Sequence, residues 1–179
     1  MFKTLKRLGA YMGRRKWLLP CSVGLSAVNG LLSLVPFILL WLVVRMLLTA
    51  ERDLADTPLW DYALAAFIVS VTNVLLYFAA LILSHLAAFR IETNMRRKAM
   101  QRLMRVPLGF FDTQNTGRMR KIIDEDSGQT HTFVAHLLPD VASCVVAPIG
   151  VIVLLFSVDW QLGAAAMIPL IGAIGIMGY

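Results

Sequence analysis

At 179 residues, 58% apolar and only 16% charged, with a mean hydropathy of +0.70, the chain is too apolar for an ordinary soluble domain. Its net charge of +6 does not point to nucleic acid. Apart from Arg45, Arg52 and Arg90, the bases gather at residues 3–16, 96–105 and 118–121, each group beside a long apolar block and without an aromatic stacking surface. That pattern predicts an all-α membrane protein whose partner is the lipid bilayer, with no nucleic acid.

Residues 1–15 alternate Phe2, Leu5, Leu8 and Met12 with Lys3, Lys6, Arg7, Arg14 and Arg15, which suits an amphipathic helix lying at the headgroups. A frayed basic terminus is the alternative. The apolar run that follows is about twice the length of a signal peptide's apolar region and lacks a small-residue cleavage site, so it reads as retained.

A first span is expected over 17–49, with Pro36 as a kink and Arg45 near the far end. Residues 51–61 form an acidic loop carrying Glu51, Asp53, Asp56 and Asp61. A second span over 60–89 continues to 106 as an amphipathic rod, because Ile91, Met95, Ala99, Leu103 and Val106 keep helical spacing among the arginines.

Pro107 and Gly109 then predict a helix end. Phe110 and Phe111 form an aromatic pair in a polar setting, and 112–117 carry turn chemistry. A short new helix is expected next, with Met119, Ile122 and Ile123 on one face; Gly117 is a candidate for a positive φ at the turn. A third span covers 137–158, a tight turn at Asp159, Trp160 and Gln161 follows, and a fourth span occupies 162–179. The chain is still apolar at Tyr179, which leads us to expect a fragment of a longer domain. Clustering of the bases places the N-terminus and residues 90–136 in the cytoplasm of a bacterial inner membrane.

No catalytic residue, cofactor site or metal site is expected. There is no GxxxxGK[ST] phosphate loop, and Gly172, Gly175 and Gly178 suit close helix approach instead. His85, His131 and His136 show no metal spacing, since His131 and His136 are five apart, off the face a helical pair needs. Cys21 and Cys144 read as buried inert thiols. Asp61, Asp140 and Asp159 stand at span ends, so no mid-membrane carboxylate supports an autonomous four-helix carrier, which stays, with a membrane anchor, as the alternative function. Asn29, Asn73, Ser84 and His85 either line a pathway or pack helices by hydrogen bonds.

The run from Val106 through Pro107, Leu108, Phe110, Phe111 and Asp112 to Thr116 and Gly117 resembles ABC transporters with the exporter-type (type IV) membrane domain. The resemblance covers essentially the whole chain and implies an incomplete six-helix domain: an elbow helix (1–15) and a partial membrane domain (16–179) with a cytoplasmic coupling segment at about 107–127. It implies that Phe111, Asp112, Thr116, Gly117 and Arg118 meet a nucleotide-binding domain. It further implies a second half-transporter as partner, and ATP with magnesium bound outside this chain. The stretch from Gly117 to Asp140 is similar to siderophore-associated half-transporters of the yersiniabactin and mycobactin type.

Overall fold

The computed structural model describes residues 8–13, 15–49, 59–113 and 115–177. The regular elements among them are all helical: α1 (Leu18–Leu32), α2 (Val35–Thr49), α3 (Leu59–Leu103), α4 (Gly109–Thr113), α5 (Thr116–Thr132), a π-helical turn (Phe133–Leu137), α6 (Leu138–Val158) and α7 (Trp160–Met177). Three stretches, Leu18–Leu48, Leu59–Leu103 and Thr116–Val158, are long and apolar enough to cross a membrane, and α7 adds 18 residues of similar character. The chain is an all-α membrane protein. Of the expected elbow helix over 1–15, residues 1–7 and 14 lie outside the described residues, as do 50–58 of the acidic loop.

The break between α1 and α2 falls at Ser33 and Leu34, just before Pro36. Proline has no N–H to offer the Leu32 carbonyl, so the helix stops a turn upstream and restarts with Pro36 in its first turn. The Ser33 hydroxyl, 2.7 Å from the Gly30 oxygen, occupies the donor position at this break. The long rod α3 ends at Leu103, a little before the expected 106. Its last turn tightens, with N–H groups of Arg105 and Val106 bonding three residues back, and Pro107 forbids continuation.

Two expectations about the segment after α3 are corrected. The pair Phe110–Phe111 sits in the short helix α4, and α5 is no isolated helix: helical structure runs without a gap from Thr116 to Val158. Nothing between Thr116 and Pro139 stops a helix, since Gly128 alone is a weak breaker. The turn into α7 is shorter than expected. Asp159 alone separates the helices, and its Oδ1 accepts the Gln161 N–H at 2.8 Å as a cap.

The chain divides into two compact units, Met1–Ser26 with Leu76–Val141, and Ala27–Leu75 with Ala142–Tyr179. The first has a core of Leu8, Met12, Leu19, Ala87, Ala88, Ile91, Val134, Ala135 and Leu138. Alanines there let helices come close, and Asn94 Nδ2 donates to the Tyr11 carbonyl at 2.6 Å, tying the N-terminal segment to α3. Ser22, fully buried, donates to the Ala80 carbonyl at 2.9 Å.

In the second unit, Asn29 Nδ2 donates to both the backbone oxygen (2.7 Å) and Oδ1 (2.6 Å) of Asn73. Gly30 lies so near α6 that a Cβ there would stand 3.2 Å from the Ser143 carbonyl oxygen. Most large apolar side chains on the spans face outward, as Phe37, Leu75, Ile82 and Val153 do. The same holds for Cys21 and Cys144, which are exposed; the expectation of buried thiols is corrected. An apolar block in a membrane helix is apolar on every side, so its composition does not say which residues face protein.

Candidate functional site

The segment that joins α3 to α5 is built around a reversal. After Pro107, α4 brings Phe110 and Phe111 together, their rings edge to face with centroids 5.8 Å apart. Phe111 turns back onto its own unit, where it lines a cavity of about 510 Å³ with Met100, Leu103, Met104, Met119 and Ile123. Phe110 remains 39% exposed. Asp112 lies in α4. Asn115 then takes an extended conformation and caps α5, its Oδ1 accepting the Gly117 N–H at 2.8 Å. Thr116, Gly117 and Arg118 are exposed on the first turn of that helix.

Gly117 is therefore helical, and the positive φ expected of it is corrected: among the described residues, Gly13 is the glycine with that conformation. What limits Gly117 is its cap. A Cβ would stand 3.1 Å from Asn115 Oδ1.

Of the four polar residues suggested for a pathway, Asn29 and Asn73 belong to the second unit, Ser84 and His85 to the first. Asn29 and Asn73 satisfy each other. Ser84 is fully buried, its hydroxyl donating to the Ala135 carbonyl. That carbonyl is the one Pro139, four residues on, leaves without a helical donor, and the ring of Pro139 also crowds it. The helix responds by widening: Leu138 N–H bonds to Phe133, five residues back.

The widening has a consequence that α-helical spacing hid. A π turn closes its hydrogen bond five residues back, which brings residues five apart towards one face. His131 and His136 both pack on His85, with ring centroids 5.6 and 4.8 Å away, and the Phe89 ring lies 4.5 Å from His131, tilted by 58°. The two histidines that α-helical counting puts off one face thus both reach His85. Their donor atoms do not converge, and no group of three or more His, Cys, Asp or Glu among the described residues can hold a metal ion. Beside the cluster, His131 Nδ1 lies 2.9 Å from Glu92 Oε2, Glu92 Oε1 lies 2.9 Å from Arg96, and Arg96 approaches Asp124 at 3.8 Å.

A rod of apolar helices, a capped turn with an aromatic pair and an amphipathic helix agree with a family comparison over nearly the whole chain. Residues 19–178 match the ABC transporter transmembrane region. The chain belongs to that family. It is also 30% identical over 147 residues to the mycobactin import ATP-binding/permease protein IrtA of Mycolicibacterium smegmatis, and 32% identical over 147 residues to its namesake in Mycobacterium tuberculosis. Each alignment covers 82% of this chain and 17% of the relative. A shorter similarity, 34% over 73 residues, covers 41% of this chain and 12% of the ATP-dependent lipid A-core flippase of Pectobacterium atrosepticum. The chain thus spans about one sixth of the length of the mycobactin import proteins. It is a multi-pass ABC transporter membrane segment.

Proposed function

We propose that this chain supplies part of the translocation pathway and one coupling element of an ATP-driven transporter for an iron-siderophore. It sits in a bacterial inner membrane with its N-terminus in the cytoplasm. One observation carries the substrate class: the similarity to mycobactin import proteins extends over 82% of this chain. ATP and magnesium would be held by a nucleotide-binding domain, and a second membrane half would complete the pathway. In this chain Phe110, Thr116, Gly117 and Arg118 present the docking surface, while Phe111 faces the cavity that Met100 and Leu103 of α3 also line. Energy released at the nucleotide-binding domain would enter through the first turn of α5. It would then travel along α5 within its own unit, a rigid-element transfer between two states.

Uptake of radio-iron carried by a mycobactin-type siderophore, measured in cells with and without the gene, tests the substrate class. Loss of uptake in the deletion, restored by the gene, is the expected result. Undiminished uptake without the gene overturns it. Docking is tested separately by substrate-stimulated ATPase of the assembled transporter. Arg118→Ala should reduce stimulation at normal membrane levels, and unchanged stimulation rejects that surface.

A further inference from the structure

On α3 and α5, Arg96 is paired with Glu92 and Asp124, Arg120 with Asp124, and Lys121 with Glu125. Lys98 and Arg102 are different: among the described residues, neither has a carboxylate within ion-pair distance. Both line one cavity of about 290 Å³, a helical turn apart on α3, with Tyr11 of the N-terminal segment and Ile122 and Asp126 of α5 as further walls. All of these residues belong to the first compact unit. Lys98 Nζ stands 4.3 Å from the centre of the Tyr11 ring, and Tyr11 is itself held by the Asn94 bond to its carbonyl. A ring face fixes an ammonium in place without cancelling its charge.

Charge and lining define what such a cavity takes. Two bases against the one carboxylate of Asp126 leave a single positive charge. A phosphodiester cancels that charge without surplus, whereas phosphomonoesters and nucleotides bring more negative charge than the cavity offsets. The fork of Arg102 and the compact charge of Lys98 are both suited to phosphate oxygens. Met95 and Ile122 add an apolar side, which suits a ligand whose phosphate continues into hydrocarbon. Arg15, Lys16 and Trp17, four to six residues after Tyr11, are exposed, and these are residue types that meet a headgroup layer. We propose that Lys98, Arg102 and Tyr11 form a binding site for the phosphodiester headgroup of a singly charged anionic phospholipid. The phosphate accepts from Arg102 and Lys98, Tyr11 holds Lys98 in position, and Asp126 limits the charge the site accepts.

Native mass spectrometry of the full chain, released from detergent with phosphatidylglycerol or phosphatidylcholine of matched acyl chains, counts the bound lipids and gives their affinity. The wild type should hold one phosphatidylglycerol that phosphatidylcholine does not displace. The double variant Lys98→Gln/Arg102→Gln should bind it at least about tenfold more weakly, because a hydrogen bond to a charged group is worth about a decade or more. Arg97→Gln/Arg105→Gln removes the same charge from the same rod outside the cavity and should leave this binding unchanged. Asp126→Asn removes the opposing charge and should tighten it, a gain that misfolding cannot imitate. Wild-type affinity in Lys98→Gln/Arg102→Gln, an equal loss in Arg97→Gln/Arg105→Gln, or no gain in Asp126→Asn overturns the site. Displacement of the lipid by inorganic phosphate at matched concentration assigns the cavity to a free anion and overturns the lipid.

Discussion

The Ser84 hydroxyl donates to the carbonyl of Ala135, four residues before a proline that cannot. A buried carbonyl left without a partner costs about 1–3 kcal/mol, so Ser84→Ala should destabilise the chain by that order. The cost should shrink when Pro139→Ala returns a donor to the helix. A double-mutant cycle followed by unfolding in micelles measures the coupling; additive effects would mean that the serine does not answer the proline.

Asn115 and Gly117 should also be coupled. Removing the cap with Asn115→Ala should cost about 1 kcal/mol of local stability. Gly117→Ala presses a methyl on the cap oxygen in the wild type, but has free space once Asn115 is alanine, where its better helix propensity should help by up to about 1 kcal/mol. Exchange protection of the first turn of α5 reads both. A Gly117→Ala variant equally harmful in either background would contradict the geometry.

Two glycines of α1 should respond oppositely to alanine. At Gly30 the Ser143 backbone, 3.2 Å from the new Cβ, cannot step aside as a side chain can. Overpacking of this kind costs about 1–3 kcal/mol. Gly24 has open space around it, so Gly24→Ala should stabilise. Thermal unfolding of the two variants in the same micelle gives the comparison, and similar midpoints would refute close approach at Gly30.

Asn29 and Asn73 are not equivalent. Asn29 is the donor to two oxygens of Asn73, one of them backbone. Asn29→Ala removes both bonds, whereas Asn73→Ala leaves the backbone acceptor in place. The first should cost about 0.6–1.7 kcal/mol and the second less. The reverse ranking in micelle unfolding would assign the main acceptor elsewhere.

Topology is open to a direct test because both native cysteines are exposed and must first be replaced by serine. In that background, a cysteine at Asn115 should resist an impermeant thiol reagent in intact cells and react after lysis. A cysteine at Asp159 should react in both. Labelling at Asn115 in intact cells would invert the assignment.

The course of the helices was legible in the sequence where a residue has one strong local effect. Pro36 marked the α1–α2 break to within a few positions, and Pro107 marked the end of the long rod. The cytoplasmic segment was harder. Asn115 stands among turn-forming residues in the sequence yet caps a helix, which puts Gly117 in the first turn of α5 instead of at a positive φ. The histidine cluster was illegible for a definite reason: its face depends on a π turn, and α-helical counting puts residues five apart on different sides. Pro139 was the available signal, since a proline inside a long helical run always leaves one carbonyl to be satisfied by something else. The cysteines failed because hydrophobicity means burial in water and carries no such meaning in lipid.

The nine residues of the compact cluster around Ile91 and Val134 are a small share of the apolar side chains in this chain. Outward positions such as Phe37, Leu75 and Val153 are asked only to be apolar, so leucine, isoleucine, valine and phenylalanine should replace one another there at little cost. Ala87, Ala88 and Ala135 are asked to be small, which almost no other residue can satisfy. A saturation library of this membrane segment should therefore divide sharply: broad tolerance on the lipid-like faces, and near-intolerance at three alanines that hydropathy alone would rank among the least informative residues in the chain.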